Sequence, residues 1–83
     1  MSGRRLHRKN AIYTPASGTT IMINYSFNSQ ILEVEYTGGR VYHYYRVDAG
    51  VWEEYKSAIQ TGNSSGTFVN RRIKPFYKGD EII

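Results

Sequence analysis

The chain has no cysteine, which removes disulfide staples, thiolate zinc sites and thiol catalysis together. It has no run of about 18 apolar residues, so no segment is expected to span a membrane. Arg4, Arg5, Arg8 and Lys9 are not followed by the apolar stretch of a secretory signal, and cytoplasmic residence is the expectation. His7 and His43 are the only histidines, so a Ser-His-Asp arrangement would need one of them, with Asp48 or Asp80 as the orienting acid. Nothing recommends either combination, and no GxSxG element is present. HExxH spacing and the alternating acids of a calcium loop are missing too. Glu33 and Glu35 share a strand face and read as a solvated pair rather than as acid and base. These absences point away from an enzyme, and neither a metal nor a cofactor is expected.

What is present suits one small domain: 83 residues, with a net charge of +4 that is unevenly placed. Residues 1–10 hold four of the eleven basic residues and no acid, and from residue 11 onward each sign has seven. The excess therefore sits on an N-terminal stretch whose Gly3, Pro15, Ser17 and Gly18 break any periodicity. Residues 1–19 are read as a flexible basic arm, 20–78 as the domain and 79–83 as a tail. A short extended piece around Ile12 and Tyr13 can still dock.

From Thr20 the period is two. Ile21, Ile23, Tyr25 and Phe27 alternate with Met22, Asn24 and Ser26, as in a half-buried strand. Asn28 and Ser29 supply a turn, and Ile31, Leu32, Val34 and Tyr36 alternate with Glu33 and Glu35 in a second strand. Thr37, Gly38 and Gly39 turn the chain into a third, Arg40 to Arg46, dense in β-formers. Its register has two options, because a one-residue slip exchanges the two faces. A two-residue Gly38-Gly39 loop puts Val41, His43 and Tyr45 with Leu32 and Val34. A three-residue loop pairs Tyr36 with Arg40 and puts Tyr42 and Tyr44 there instead. The second is favoured: it gathers more aromatic surface on the face of Ile23 and Tyr25, and leaves Glu33, Glu35, His43 and Tyr45 on a wet face.

After Val47 the period becomes helical. Asp48 suits an N-cap, and Val51, Trp52, Tyr55, Ala58 and Ile59 form one stripe. Gly62 ends this helix, and Asn63 to Gly66 form a linker. Phe68, Val69 and Ile73 then mark a shorter helix stopped by Pro75. The fold class is α+β, a three-stranded antiparallel β-meander followed by one longer and one short α-helix packed on one sheet face.

Two features can hold an anion. Ser64, Ser65 and Gly66 open the short helix and can present amide N–H groups, although an ordinary capped linker explains them as well. Arg71, Arg72, Lys74 and Lys78 follow. Tyrosine is the compositional outlier, with eight. Tyr45 and His43, near Arg40 and Arg46, suit base stacking beside phosphate-holding cations; tyrosines completing a small core are the plainer account.

The segment from Gly39 to Tyr77 resembles the KTSC domain, a family named for its occurrence at the C-terminus of some lysyl-tRNA synthetases. The resemblance rests on Gly39, Tyr42-His43-Tyr44, Val47, Ser64-Ser65-Gly66, Asn70, Ile73 and Tyr77, with Tyr25 and Leu32 to Tyr36 matching upstream. Asp48 stands where the family pattern has proline. The resemblance implies a small non-catalytic domain, for which RNA binding is suggested by the synthetase fusion. Two functions are therefore carried forward. One is a nucleic-acid-binding module, for RNA more than DNA, using Arg4, Arg5, Arg8, Lys9, Arg71, Arg72, Lys74 and Lys78. The other is an accessory module that binds another protein. Oligomeric state is not legible in the residues.

Overall fold

The structure, a computed structural model, describes residues 5–82. The phosphate-binding role expected of Arg4 and the last residue of the expected tail, Ile83, fall outside the described residues. Strands β1 (Ile12–Tyr13), β2 (Thr20–Ser26), β3 (Ile31–Tyr36), β4 (Val41–Tyr44) and β5 (Gly79–Ile82) form one antiparallel sheet in chain order. Between β4 and β5 lie α1 (Ala49–Gln60), α2 (Ser65–Phe68) and a π-helical turn, Val69–Ile73, continuing from α2. The α+β class is as expected, but the sheet has five strands rather than three. The two additions are short or polar. β1 pairs only Ile12 with Ile23 and Tyr13 with Met22, while β5 carries Asp80 and Glu81 and has no alternating apolar pattern. They form because the outer backbone groups of β2 and β4 need partners, a demand that side-chain periodicity does not display.

The second hairpin adopts the favoured register. The Tyr36 amide donates to the Arg40 carbonyl (2.7 Å) across a three-residue loop, and Leu32 pairs with Tyr44, Val34 with Tyr42 and Glu33 with His43. Gly38 and Gly39 have φ of +94° and +87°, a region that residues with a Cβ avoid. The first hairpin differs from expectation. Ser26 pairs with Ile31, so Phe27 to Gln30 form a four-residue loop closed by the Gln30 amide on the Ser26 carbonyl. Phe27 lies beyond the strand and is exposed. A register irregularity between Thr20 and Met22 takes Ile21 out of the alternation, leaving it exposed while Met22 is fully buried.

Helix α1 is bounded as its sequence predicts. Asp48 Oδ2 accepts from the Gly50 amide at 2.9 Å. At the far end Gly62, with φ +89°, lets the Asn63 amide reach the Ala58 carbonyl and its own amide reach Ile59, a Schellman closure. The helix buries Trp52 and Tyr55 against the sheet. Trp52 stacks on Tyr25 at 5.4 Å between centroids, and the Tyr25 hydroxyl donates to the Val47 carbonyl. Ile23, Leu32, Val34, Tyr44, Val69 and Ile73 complete the core.

The opposite sheet face is not wet. Glu33 is 1% and His43 4% exposed, and Asn24 is fully buried. Residues 5–10, including a 3-10 turn at Arg8–Asn10, contact this face: Arg5 and the Leu6 amide bond to Glu33, and Asn24 donates to the His7 carbonyl. The segment assigned to a separate arm thus supplies strand β1 and bonds to the face of β2 and β3, and the stretch assigned to a tail from 79 is strand β5. Alternation could assign Glu33 and His43 to a face, but not foresee that a distant segment would cover it.

Candidate nucleic-acid interface

The register that buries Leu32 and Val34 also sets Tyr36, Tyr42 and Tyr44 on the helix side of the sheet. The helical layer does not cover all three. Tyr44 is buried, whereas Tyr36 and Tyr42, nearer the Gly38-Gly39 end, are only half-buried. Tyr36 meets Tyr42 edge-on (5.6 Å, 86°), and Tyr42 lies over Tyr44 at 6.2 Å. The Tyr36 and Tyr44 hydroxyls hydrogen-bond at 2.8 Å. Lys74, just after the π-helical turn, places Nζ 5.3 Å from the centre of the Tyr36 ring. Arg40 forks onto Glu81 through two 3.2 Å contacts. Tyr36, Tyr42, Arg40 and Lys74, together with Thr19 and Thr37, line a cleft of about 410 Å³.

The hydroxyls here are not acid-base groups at neutral pH. Burial pushes the Tyr36 phenol well above its ordinary value, reinforced by the bond to Tyr44 and by the neighbouring tyrosines. Burial also raises Tyr44. It lifts Tyr55 to about 12, although the Ser65 hydroxyl pulls the other way. All three remain protonated and can only donate or accept hydrogen bonds. Among the described residues no group of three or more His, Cys, Asp or Glu side chains could hold a metal ion.

Of the cations expected to take phosphate, the structure brings Arg40 and Lys74 to this cleft. Arg5 is ion-paired with Glu33 and Glu35, and Arg72 with Glu54. Arg8 donates to the Tyr13 hydroxyl at 2.9 Å. Lys9 and Arg71 are exposed. Tyr45, Arg46 and Lys78 line a separate hollow with Phe76 and Tyr77. Burial, then the charge of Asp80, raises the Tyr45 phenol, so an acid stands at that hollow. His43, expected to stack bases with Tyr45, is buried and bonded to Glu33 at 2.8 Å, which removes it from any such surface.

The Ser64-Ser65-Gly66 segment is engaged within the fold. Ser64 Oγ accepts from the Thr67 amide as the N-cap of α2. Ser65 Oγ, buried, accepts from Thr20 Oγ1 (2.8 Å) and lies 2.7 Å from the Tyr55 hydroxyl, while Thr20 bonds in turn to Thr14. Gly66 packs on Thr19, whose Oγ1 and Cβ would lie 2.8 and 2.9 Å from an added Cβ. Gly66→Ala is therefore expected to cost about 1–3 kcal/mol of stability, read as a lower urea midpoint; no loss would show that α2 can shift away freely.

Tyr36, Tyr42, Thr19 and Thr37 are the cleft residues that sequence reasoning missed. The favoured register had already placed both tyrosines on the helix side. What it lacked was the extent of the helical layer, which leaves them half-buried.

A five-stranded antiparallel meander with two helices between its last two strands, and a tyrosine-lined cleft at one end, define a small α+β module. The sequence profile of the KTSC domain matches residues 16–77, and the chain belongs to that family, whose members are small domains without an assigned activity. The fold is similar to the crystal structure of a KTSC domain protein from Yersinia pestis, with a TM-score of 0.63 and 24% identity over 81% of this chain and 89% of that one. No curated protein matches the chain.

Proposed function

We propose that the chain is a non-catalytic binding module that holds single-stranded RNA in the cleft between the Gly38-Gly39 hairpin, β4 and Lys74. The observation that carries this reading is the placement of Lys74 over Tyr36, in a cleft that the half-buried Tyr42 and Arg40 also line. A half-buried ring is a platform for a base, worth about 1–3 kcal/mol per stacked base; Lys74 beside it holds one phosphate, and Arg40 holds a second by exchanging Glu81 for it. The lysyl-tRNA synthetase association implied by the family resemblance favours RNA over DNA, and cytoplasmic residence goes with it. With about two phosphates neutralised, log K falls with log salt at a slope of about −1.4.

The test is binding of the full chain to short fluorescent single-stranded RNA, duplex RNA and DNA at two salt concentrations. Lys74→Glu and Tyr42→Ala are each expected to weaken single-strand binding about tenfold, in line with the loss of one phosphate contact or one stacked base. A flat salt response with unchanged affinity in both variants would sink the reading. A second reading, docking of another protein, is favoured by the exposure of Tyr13, Phe27 and Phe76 at 58%, 49% and 68%. It predicts that Lys74→Glu and an alanine swap of Arg71 and Arg72 leave partner binding intact.

A further inference from the structure

On the face opposite the helices, three buried polar side chains from three different strands converge on residues 5–7. Glu33 Oε2, on β3, accepts from the Leu6 amide at 3.1 Å, from Arg5 Nε at 3.1 Å and from His43 Nε2, on β4, at 2.8 Å. Glu35 takes the other end of the Arg5 guanidinium, at 3.2 Å from Nη2. Asn24, on β2, is held by the Tyr25 amide on its Oδ1 and donates from Nδ2 to the His7 carbonyl at 3.1 Å. Burying an ionised carboxylate is costly unless every lone pair is met. Here Oε2 takes three donors, two of them from the covering segment, the Arg5 guanidinium and the Leu6 amide, and one from His43.

Residues 5–10 are held mainly by polar contacts: none is buried, and only Leu6 and Asn10 are half-buried. They can lift away while β1, whose Ile12 packs on the core and pairs with Ile23, stays in the sheet. The covering segment also lies outside residues 16–77, the part that matches the family, whereas Asn24, Glu33, Glu35 and His43 lie inside it. The partners of the sheet in this segment are an arginine side chain, an amide N–H and a carbonyl. The last two belong to any peptide.

We infer that the face formed by Asn24, Glu33, Glu35 and His43 is a docking site for an extended, arginine-bearing peptide segment, which this chain fills with its own Arg5-Leu6-His7. The two carboxylates select arginine over lysine, because Nε and Nη2 are used together in a fork that an ammonium cannot reproduce. Asn24 and Glu33 fix the direction of the incoming main chain. The chain's own segment is the first competitor for the site, and a partner peptide gains access when Arg5 lets go.

The test titrates the isotope-labelled full chain, as wild type and as Arg5→Ala, with a synthetic peptide of residues 2–10 and with the same peptide carrying alanine at position 5. The Arg5→Ala chain keeps two of the three donors to Glu33 and is expected to fold. Its amide and side-chain signals at Asn24, Glu33 and His43 should shift and saturate with the arginine peptide. The alanine peptide should bind at least tenfold more weakly, as should the arginine peptide to wild type, where the site is occupied. Adding Glu33→Gln to the Arg5→Ala chain should lower the affinity by a similar factor. The inference is overturned if Arg5→Ala shows no peptide-dependent shifts at those residues, or if both peptides bind it equally.

Discussion

A Glu33→Ala chain is expected to lose about 3 kcal/mol of folding free energy at neutral pH. Removing one member of a buried charged pair leaves its partners uncompensated, which usually costs about 3–5 kcal/mol. The low end applies here because Arg5 is partly exposed and keeps Glu35, so the stranded groups are the Leu6 amide and the His43 ring. Urea unfolding followed by circular dichroism measures the loss, and a change below about 1 kcal/mol would contradict the account. The same carboxylate imposes a pH dependence. Burial by itself pushes Glu33 up, but hydrogen bonds from His43, the Leu6 amide and Arg5, and the charge of Arg5, hold it down at about 2 against an ordinary value of 4.5. The folded chain therefore binds this proton less readily than the unfolded chain. The stabilisation is fully present above about pH 4.5 and is lost as the pH falls toward about 2. Glu33→Gln lacks that acid limb, so its stability gap to wild type should narrow over this range; a constant gap from pH 6 to pH 2.5 would disprove the link.

Tyr44→Ala is expected to cost about 3–5 kcal/mol, the range for deleting a buried aromatic ring, and for a domain of this size that is a large part of the total. Tyr44 is 4% exposed. Its ring lies over Gly79, where an added Cβ would sit 2.5 Å from the ring, so β5 can pass only because position 79 has no side chain. Its hydroxyl meets Tyr36. Tyr42, two residues earlier on the same face, is half-buried in the cleft wall, and Tyr42→Ala should cost only about 1 kcal/mol. The two tyrosines of the YxY motif thus divide: Tyr44 is buried in the core, and Tyr42 is half-buried in the cleft wall, where the proposed RNA site would use it. Thermal melts of both variants beside their RNA affinities would show the division. Equal stability losses would make both tyrosines structural.

Local pattern carried much of this architecture. Alternation from Ile23 to Tyr25 and from Leu32 to Tyr36, the Asp48 cap and the Gly62 stop were legible because each depends on neighbours within a few residues. So was the hairpin register, since a three-residue loop and the burial of Tyr42 and Tyr44 call for the same pairing. The exposure of Ile21 was not legible, because a strand irregularity is a property of the pair and not of one strand.

The sequence alone determined the α+β class, the order of the three central strands and α1, and the family resemblance. These follow from periodicity, caps and turns, which act over one strand or one helix. Tertiary structure decided which charged residues are free. Arg5, Arg40 and Arg72 find acids 28, 41 and 18 residues away, and no local pattern reports a contact of that span. It also decided that His43 is buried and bonded to Glu33, while Tyr36 and Tyr42 are only half-buried. Which ring is buried and which stays half-open depends on where the helical layer stops, and that is set only when the whole chain has packed.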